Sequence, residues 1–315
     1  MDNNIKDIVI IGAGCAGITA AIYALQAGKS VLILENNAVG GQISTAGRIE
    51  NYPAAFGITG SEFSDRLFNQ ATELGAEIML CTATAVREVE NKKIIETDCG
   101  TFFARAVIIA SGCVPRKLGA KNEDKFTGHG VSYCALCDGG FYKGKKVAVV
   151  GGGEAAVQFT DYLCEICESV VLIHRRGELR ATSESAKSIA SKHKNLELKL
   201  CANVVSFSGD KSLKSVTVKN NETGETEEIL LDGVFVAAGH IPSNEPFKEV
   251  AKLSADGYIV TNDDMETGIK GVFAAGDCRQ KSVRQLTTAA ADGTVAAVSA
   301  CLYLQEPDSQ RTTFR

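Results

Sequence analysis

The fold is decided by the stretch DIVIIGAGCAGITAAIYALQAG at residues 7 to 28. It predicts a buried strand from Asp7 to Ile11, a tight turn through Gly12, Gly14 and Gly17, and a helix from Ile18 to Ala27. In such a turn the first glycine permits the bend, the second lets the backbone approach a pyrophosphate, and the third allows close helix–strand packing. The helix N-terminus then faces the phosphates with unpaired N–H groups. The stretch therefore predicts a dinucleotide site.

A second strand and an acidic residue complete this unit. The strand is predicted over Val31 to Leu34, and Glu35 ends it. An acid about 20 residues after the turn accepts hydrogen bonds from a ribose diol. Three spaced glycines alone match by chance, but the strand, helix and acid make the pattern specific.

The same pattern occurs a second time. A shift of 139 residues without a gap places the three glycines on Gly151, Gly153 and Ala156, and places the second strand on Val170–Ile173. Internal repetition of this kind indicates two copies of one structural unit. The chain is therefore predicted to contain two dinucleotide units.

The two units differ at the end of the second strand. Where the first has Glu35, the second has His174, followed by three arginines, Arg175, Arg176 and Arg180. An acid at this position favours a nucleotide with a free 2′-hydroxyl, whereas a cationic cluster favours one with a 2′-phosphate. The first unit is thus predicted to bind FAD and the second NADPH. The alternative is a solvated charged loop, which the register of the repeat disfavours.

Two strands followed by proline mark the connections between the units. Val107 to Ala110 precedes Pro115, and Val234 to Ala238 precedes Pro242 and Pro246. Stiff, helix-breaking crossings are expected where one domain is inserted into another. We predict an α/β fold of two Rossmann-like, three-layer dinucleotide-binding domains, the second inserted into the first. Residues 1–115 and 245–315 form the FAD domain, and residues 116–244 form the NADPH domain, which carries the redox cysteines described below.

Composition limits the class of protein. The chain has 315 residues, 45% of them hydrophobic and 23% charged, with a formal net charge of −5. This composition is typical of a globular protein, and the mild acidity without basic runs argues against nucleic-acid binding. The apolar run from Ile8 to Ala27 is interrupted by glycines and preceded by Asp2 and Asp7, so it resembles neither a signal peptide nor a membrane span. A cytoplasmic protein is expected.

Cysteine usage agrees with a reducing compartment. The chain has 11 cysteines, an odd number, and most are single residues in apolar stretches. Cysteine used in this way is a small buried hydrophobe and not part of a disulfide framework. One localised pair is expected to be the exception.

That pair is Cys134-Ala135-Leu136-Cys137, with Asp138 directly behind it. Two thiols at this spacing can close a disulfide, and the adjacent acid can deliver or accept the proton that exchange moves. The same spacing is also the commonest for zinc ligands. The dinucleotide units on either side favour a redox centre.

The C-terminal region is predicted to return to the first domain. Gly271 to Ala275 is an apolar strand that leads into Gly276-Asp277, and Arg284-Gln285 opens an alanine-rich helix running to about Leu304. An acid at such a strand end can bind a sugar-alcohol hydroxyl, and a helix N-terminus favours a reduced, anionic flavin ring. Plain packing would explain the same residues.

Over essentially its full length the sequence resembles the low-molecular-weight, bacterial-type thioredoxin reductases. Besides the motifs above, Gly40-Gly41-Gln42 matches the family. The resemblance implies FAD contacts from Gly12, Gly14, Ala16, Gly17, Glu35, Gly40, Gly41, Gln42, Asn51, Gly112, Gly276, Asp277, Arg284 and Gln285. It implies NADPH contacts from Gly151, Gly153, Glu154, Ala155, Ala156, His174, Arg175, Arg176, Arg180 and Gly239. No metal site is expected.

The resemblance also implies a mechanism. Electrons would pass from NADPH to FAD, then to the Cys134–Cys137 disulfide, and then to a thioredoxin disulfide. Cys137 would face the flavin, Cys134 would attack thioredoxin, and Asp138 would act as acid and base. In the family a large domain rotation about the two crossings accompanies this transfer. A homodimer is expected on the same grounds.

The sequence departs from the family pattern at three places. Glu154 replaces the more usual Asp or Asn, and Gly140 stands where a bulky residue is usual. An extra pair, Cys164-x-x-Cys167, falls in the predicted helix of the second unit. Residues three apart share a helix face but make a strained disulfide, which favours a packing role.

Two alternatives remain open from the sequence. One is a reductase with the same redox centre that takes electrons from ferredoxin or serves a peroxiredoxin system. Ferredoxin-fed relatives lack the arginine cluster that this chain keeps. The other is a non-catalytic dinucleotide-binding protein in which Cys134, Cys137, Cys164 and Cys167 hold structural zinc.

Overall fold

A computed structural model describes residues 5–46, 48–89, 92–182 and 184–305, without the side chains of Thr45 and Ser185. The chain forms two compact units. One comprises Met1–Val114 with Ile241–Arg315, and the other comprises Pro115–His240. Among the described residues, no helix has the length and apolar character needed to cross a membrane.

The elements follow in chain order. The first segment contains β1 (Ile5–Ile11), α1 (Cys15–Gln26), β2 (Val31–Glu35), a 3₁₀ turn (Gly41–Thr45), α2 (Gly60–Glu73), β3 (Glu77–Leu80), β4 (Ala83–Val89), β5 (Lys92–Thr97), β6 (Gly100–Ile109) and β7 (Cys113–Pro115). The middle segment contains α3 (Glu123–Phe126), β8 (Val131–Ser132), α4 (Ala135–Asp138), a 3₁₀ turn (Gly139–Tyr142), β9 (Lys146–Val150), α5 (Glu154–Ile166), β10 (Ser169–Ile173), α6 (Glu184–Lys192), β11 (Leu196–Lys199), β12 (Ala202–Gly209), β13 (Leu213–Asn220), β14 (Thr226–Leu230), β15 (Gly233–Val236) and β16 (His240–Pro242). The last segment contains 3₁₀ turns at Glu245–Phe247 and Gly276–Cys278, β17 (Val272–Ala274) and α7 (Leu286–Gln305).

The first unit is built on one mixed sheet in the order β3-β2-β1-β6-β5-β4, with β17 beside the C-terminal half of β6. Strands β1, β2, β3, β6 and β17 run parallel, whereas β5 is antiparallel to both β4 and β6. The central strand β1 pairs Ile11 with Leu34 on one side and with Ile109 on the other. Its β-branched residues suit a parallel strand buried on both faces.

Helices α1, α2 and α7 cover one face of this sheet. Ile18 of α1 and Phe63 of α2 are buried there beside Ile8 and Ile108 of the sheet. The two helices α1 and α7 approach closely at Gly293, where a Cβ atom would meet the backbone carbonyl of Ala16. The opposite face is covered by the segment after the second crossing, which contributes Phe247 and Ile259.

The second unit repeats this design on a smaller scale. Its parallel sheet has the order β11-β10-β9-β15-β8, and a separate antiparallel sheet has the order β12-β13-β14. On one face of the parallel sheet, Val147 and Phe235 pack with Leu163 of α5. On the other, Val150 and Val234 share a core with Phe207 of the antiparallel sheet. Each unit therefore has the three-layer arrangement, and the predicted fold class is confirmed.

Several element boundaries differ from those expected. Helix α1 begins at Cys15 and not at Ile18, because Gly14 is its N-cap. Strand β6 begins at Gly100, since its first half pairs with β5 before its second half joins β1. The two crossing segments, β7 and β16, pair with each other as a short two-stranded ribbon.

Candidate active site

The predicted redox pair forms a disulfide in the second unit. The Cα atoms of Cys134 and Cys137 lie 5.3 Å apart, within the ordinary range for a disulfide. Cys134 is the N-cap of α4, and its Sγ accepts a hydrogen bond from the N–H of Cys137 at 3.2 Å. A donor at this position stabilises negative charge on Cys134 when the disulfide opens. Both cysteines are partly exposed, as exchange with another molecule requires.

An acid stands behind the pair and is held by a serine. Ser132 Oγ donates a hydrogen bond to Asp138 Oδ2 at 2.7 Å and accepts one from the N–H of Cys134 at 3.0 Å. Burial raises the pKa of Asp138, and the hydrogen bond from Ser132 opposes that rise. The raised pKa brings the protonated form closer to neutral pH, which suits a group that exchanges protons. Ser132 was not predicted from the sequence.

Close packing fixes this segment against α5. A Cβ atom on Gly139 would come within 2.6 Å of the Tyr162 ring, so a larger residue would have to displace that ring. Around the pair, Leu136 is 53% exposed and Phe141 is 41% exposed. The redox pair therefore lies on a rigid base beside exposed apolar side chains.

The first glycine turn has the form that a phosphate site needs. Gly12 has a φ of +108°, and a Cβ atom there would collide with the carbonyl of Ala110. A Cβ atom on Gly14 would meet nothing within 4 Å, so the protein itself does not demand glycine there. No side chain caps α1. The open space over Gly14, faced by unpaired N–H groups, therefore fits a pyrophosphate.

The predicted ribose acid, Glu35, is buried and fixed by the backbone. Its Oε2 accepts a hydrogen bond from the N–H of Ala13 at 2.7 Å, and its Oε1 accepts one from the N–H of Asn37 at 3.0 Å. Ala13 lies inside the glycine turn, so the carboxylate and the turn are held in one arrangement. Each oxygen keeps a second lone pair that a ribose hydroxyl can use.

The end of β17 brings a second acid to this unit. Asp277 Oδ1 is buried, and no described residue donates a hydrogen bond to it, although Lys281 Nζ lies 3.3 Å away. Such an orphaned acceptor fits a ligand hydroxyl. Asp292, buried in α7, accepts a hydrogen bond from the N–H of Gly276 at 3.1 Å. It also forms an ion pair with Lys281 at 3.0 Å. Lys281 and Asp292 were not predicted from the sequence.

The remaining predicted FAD residues lie in the same unit. Asn51 Nδ2 donates a hydrogen bond to Gln285 Oε1 at 3.2 Å, and the Gln42 side chain donates one to the Cys113 carbonyl. Gly40 N–H donates to the carbonyl of Ala13 at 2.8 Å. Ala16 and Gly17 are buried in the first turn of α1. Three more predicted positions lie in this unit: Gly41 lies against Gly14, Gly112 has a φ of +66°, and the Arg284 guanidinium lies 4.1 Å from the Tyr258 ring centroid.

The second glycine turn has the same construction. A Cβ atom on Gly151 would come within 2.5 Å of the carbonyl oxygen of Ala237. Gly153 is the N-cap of α5, which no side chain caps, and a Cβ atom there would lie 3.7 Å from the Arg180 guanidinium. The turn therefore offers uncapped N–H groups and a nearby cation, which fits a nucleotide phosphate.

The cationic cluster lies at the end of β10. His174 is 5% exposed, and its Nε2 has no hydrogen-bond partner among the described residues. Its ring lies directly over Gly152, where a Cβ atom would collide with it. Burial lowers the pKa of His174, and the neighbouring arginines lower it further. Arg175, Arg176 and Arg180 are all exposed.

Glu154 fastens the loop that carries Arg180. Its Oε1 accepts a hydrogen bond from the N–H of Thr182 at 2.7 Å, and the N–H of Arg180 donates to the carbonyl of Gly152 at 2.6 Å. The departure of this position from the family pattern thus has a structural use. Two other predicted residues remain open to solvent: Ala155 is exposed, and Gly239 has a φ of +97° with nothing near its Cβ position.

The extra pair in the second unit has no disulfide. Cys164 and Cys167 are buried, and burial raises their pKa values to about 12 and about 11 respectively. Cys167 is the C-cap of α5 and not part of the helix, so the prediction of two helical residues was wrong for it. Among the described residues these two do not gather with Cys134 and Cys137 into a metal-ligand cluster, which argues against the zinc alternative.

One expectation about cysteine is wrong. Cys81 and Cys99, which the sequence analysis took for single free residues, form a disulfide in the first unit with a Cα–Cα distance of 5.9 Å. They lie 18 residues apart, and the antiparallel pairing of β4 and β5, which sets Ala83 opposite Thr97, brings them together. A spacing of this length carries no signal of pairing by itself.

Known proteins are similar to this chain in sequence and in fold. Residues 6–293 match the family model described as pyridine nucleotide-disulphide oxidoreductase. The chain is 40% identical to a thioredoxin reductase of Bacillus subtilis, covering 97% of this chain and 96% of the relative. It also resembles the crystal structure of a thioredoxin reductase from Streptococcus pyogenes, with a TM-score of 0.91, 35% identity and coverage of 96% and 99%. A thioredoxin reductase from Giardia duodenalis matches with a TM-score of 0.91, 32% identity and coverage of 96% and 100%.

Proposed function

The chain belongs to the pyridine nucleotide-disulphide oxidoreductase family, and we propose that it is an NADPH-dependent flavoprotein that reduces the disulfide of thioredoxin. The observation that carries the proposal is the Cys134–Cys137 disulfide beside a partly buried acid, in the unit that also bears the cationic nucleotide site. Relatives of matching length that are named thioredoxin reductase support it.

Each unit has residues that suit one cofactor. In the first, the open turn at Gly14, the fixed Glu35 carboxylate and the orphaned Asp277 oxygen would hold FAD at its pyrophosphate, ribose and ribityl hydroxyls. In the second, the turn at Gly153 and the cluster around Arg175 would hold NADPH. When bound, FAD supplies the conversion of a hydride from NADPH into the two electrons that reduce a disulfide.

The residues around the pair manage charge and protons. Reduction breaks the Cys134–Cys137 bond and leaves two sulfurs that need two protons. The N–H of Cys137 stabilises a thiolate at Cys134, so this sulfur is the better nucleophile toward a second disulfide. Asp138, held by Ser132 and shifted toward its protonated form, can deliver a proton to the departing sulfur.

Exchange with thioredoxin then follows the ordinary course of thiol–disulfide chemistry. The Cys134 thiolate attacks one sulfur of the thioredoxin disulfide, and the other leaves and takes a proton. Cys137 attacks the mixed disulfide at Cys134 and releases reduced thioredoxin. The pair returns to its starting disulfide, and two electrons have moved to thioredoxin. The exposed Leu136 and Phe141 are the apolar contacts available to such a partner.

A purified sample tests the proposal directly. We expect flavin absorption bands that bleach on anaerobic addition of one equivalent of NADPH, far less bleaching with NADH, and NADPH oxidation that depends on thioredoxin. Stoichiometric zinc without flavin would contradict the proposal. Bleaching by reduced ferredoxin but not by NADPH would favour the ferredoxin-fed alternative. The homodimer and the cytoplasmic location remain predictions, the first testable by light scattering.

A further inference from the structure

The Cys81–Cys99 disulfide lies in the first unit, which does not contain the redox centre. We propose that it is a second thiol–disulfide site, opened by a dithiol protein of the thioredoxin type and closed by hydroperoxides. The identity of the reductant rests on the function proposed above. The site itself rests on the geometry of the first unit.

The backbone holds the two cysteines together independently of their bond. Cys81 directly follows β3, and Cys99 lies in the turn between β5 and β6. Beside them, the N–H of Asp98 donates to the Thr82 carbonyl at 3.1 Å, and the N–H of Thr82 donates to Asp98 Oδ1 at 2.8 Å. These bonds persist when the disulfide opens. The thiols would therefore stay close enough to close again.

One sulfur of the pair is accessible and the other is not. Cys99 is exposed, whereas Cys81 is 5% exposed. The other described cysteines of the first unit, Cys15, Cys113, Cys278 and Cys301, are all buried. Burial raises the pKa values of Cys15 and Cys278 to about 11 and that of Cys113 to about 12. Exchange in this unit is therefore directed to Cys99.

A carboxylate lies next to this pair, as one does next to Cys134 and Cys137. The carboxylate of Asp98 and the sulfurs of Cys81 and Cys99 lie within 4.8 Å of one another. A carboxylate so close makes a thiolate at either sulfur less favourable. We therefore expect exchange here to be slower than at Cys134, whose sulfur accepts a stabilising hydrogen bond from a backbone N–H.

Both directions of the reaction balance. In opening, a thiolate of the dithiol protein attacks Cys99 Sγ, and the bond to Cys81 breaks. The Cys81 sulfur takes a proton from solvent. The second thiol of the partner then displaces Cys99 and leaves an oxidised partner and two reduced cysteines. In closing, the Cys99 thiol loses its proton to solvent, and the thiolate attacks the O–O bond of a hydroperoxide and becomes a sulfenic acid. The oxygen that leaves takes up a proton from solvent and departs as an alcohol or as water. Cys81 then attacks that sulfur, the disulfide forms and water is released.

The site also touches the strand that carries the ribose acid. The N–H of Cys81 donates to the carbonyl of Glu35 at 2.8 Å, one residue beyond the last pair of the β2–β3 ladder. A change in the redox state of the pair therefore occurs next to the FAD-binding strand.

The test is differential alkylation of the full-length holoenzyme, with each cysteine followed by mass spectrometry. After hydrogen peroxide, we expect Cys81 and Cys99 to resist alkylation. Chemically reduced thioredoxin, freed of other reductants, should open the pair at least tenfold faster than NADPH alone. The variant Cys134→Ser/Cys137→Ser should respond to chemically reduced thioredoxin in the same way, because exchange at Cys99 does not use the redox centre. Cys201 serves as the alkylation control, because among the described free cysteines it is the one that is not buried.

Two results would overturn the proposal. The first is full alkylation of Cys81 and Cys99 after peroxide, which would mean that no bond forms. The second is a bond that survives excess reduced thioredoxin while the protein stays folded, which would make it purely structural. Failure of NADPH to reduce thioredoxin, with normal opening by chemically reduced thioredoxin, would reject the proposed function and leave this site standing.

Discussion

The two glycine turns of this protein share a plan but differ at their third position. In both, the first glycine is required by a carbonyl of the neighbouring strand, that of Ala110 in one unit and that of Ala237 in the other. In the first unit a Cβ atom on Gly17 would collide with the carbonyl of Gly12, whereas the second unit accommodates Ala156. The third position is therefore set by local packing, whereas the protein leaves open space around the second position in both turns.

The units differ more strongly at the end of the second strand. The Glu35 carboxylate is buried and receives two backbone hydrogen bonds, so it is part of the folded structure. The arginines at the corresponding place are exposed, and the buried His174 ring beside them leaves Nε2 without a partner among the described residues. The acid of the first unit is thus fixed by the fold, whereas the arginines at the corresponding place in the second unit are exposed charges.

The largest expected effect concerns the redox cysteines, which only the second unit is predicted to use in thioredoxin reduction. Cys134→Ser or Cys137→Ser should lower thioredoxin reduction by more than about 1,000-fold, because exchange needs one thiol to attack and a second to resolve. Both variants should still bleach their flavin with NADPH. Cys137→Ser should accumulate a mixed disulfide with a thioredoxin that lacks its resolving cysteine, and Cys134→Ser should trap little. Mass spectrometry of non-reduced complexes checks this, and preferential trapping through Cys137 would reverse the two roles.

The second prediction tests whether Glu35 is part of the fold. Glu35→Ala removes the acceptor for two N–H groups, and a buried donor without a partner costs about 1–3 kcal/mol. We expect lower thermal stability of the FAD-free protein and FAD affinity reduced by about 10- to 100-fold. Glu35→Gln keeps one acceptor oxygen and should lose less. Equal losses in both variants, with unchanged stability, would mean that Glu35 acts on the ligand alone.

The third prediction addresses the exposed cluster. Replacing Arg175 and Arg176 by alanine should raise the KM for NADPH by about 10- to 100-fold, since charge-assisted hydrogen bonds contribute roughly 1.5–3 kcal/mol each. The KM for NADH, thermal stability and FAD content should change little. Lys211→Ala, at another exposed cation of the same unit, is the control. Equal use of both coenzymes by the unaltered protein would contradict the assignment.

These differences also explain what the sequence could predict. The turns, the strands that flank them and the Cys134–Cys137 pair are local patterns, and each was found from spacing alone. Asp292 and the Cys81–Cys99 bond were missed, because their partners are brought together only by the fold. Ser132 and Lys281 were missed for another reason: their partners are near in sequence, but neither residue belongs to a recognised motif. Asp292 meets Gly276 through the packing of α7 on the sheet, and His174 covers Gly152 because β9 and β10 are neighbours. No spacing along the chain encodes these contacts.

The fourth prediction concerns Asp138, the acid of the redox centre. A side chain, that of Ser132, donates a hydrogen bond to Asp138, whereas backbone N–H groups donate to Glu35 in the first unit. The Ser132 hydrogen bond stabilises the ionised form of Asp138 and so opposes the rise in pKa caused by burial. Ser132→Ala should raise this pKa further, because it removes a hydrogen bond to the ionised carboxylate. The pH midpoint of thioredoxin reduction that disappears in Asp138→Asn should then move to higher pH. A move to lower pH, or no move, would show that Ser132 does not set the charge of Asp138.

The smallest expected effect separates the two cysteine pairs of the second unit. Cys134 and Cys137 are partly exposed beside a proton-exchanging acid, whereas Cys164 and Cys167 are buried with raised pKa values. Cys167 Sγ lies 3.3 Å from the Tyr142 carbonyl, to which it can donate, and a serine hydroxyl can make the same bond. Neither thiol is accessible to a partner, and a thiolate there would be strongly disfavoured.

Cys164→Ser/Cys167→Ser should therefore keep NADPH-dependent thioredoxin reduction within about threefold, with a loss of stability of about 1–2 kcal/mol from burying two hydroxyls. Turnover and thermal unfolding measured on the same preparation decide the matter, and a loss of turnover as large as that of Cys134→Ser in a stable protein would give the buried pair a redox role.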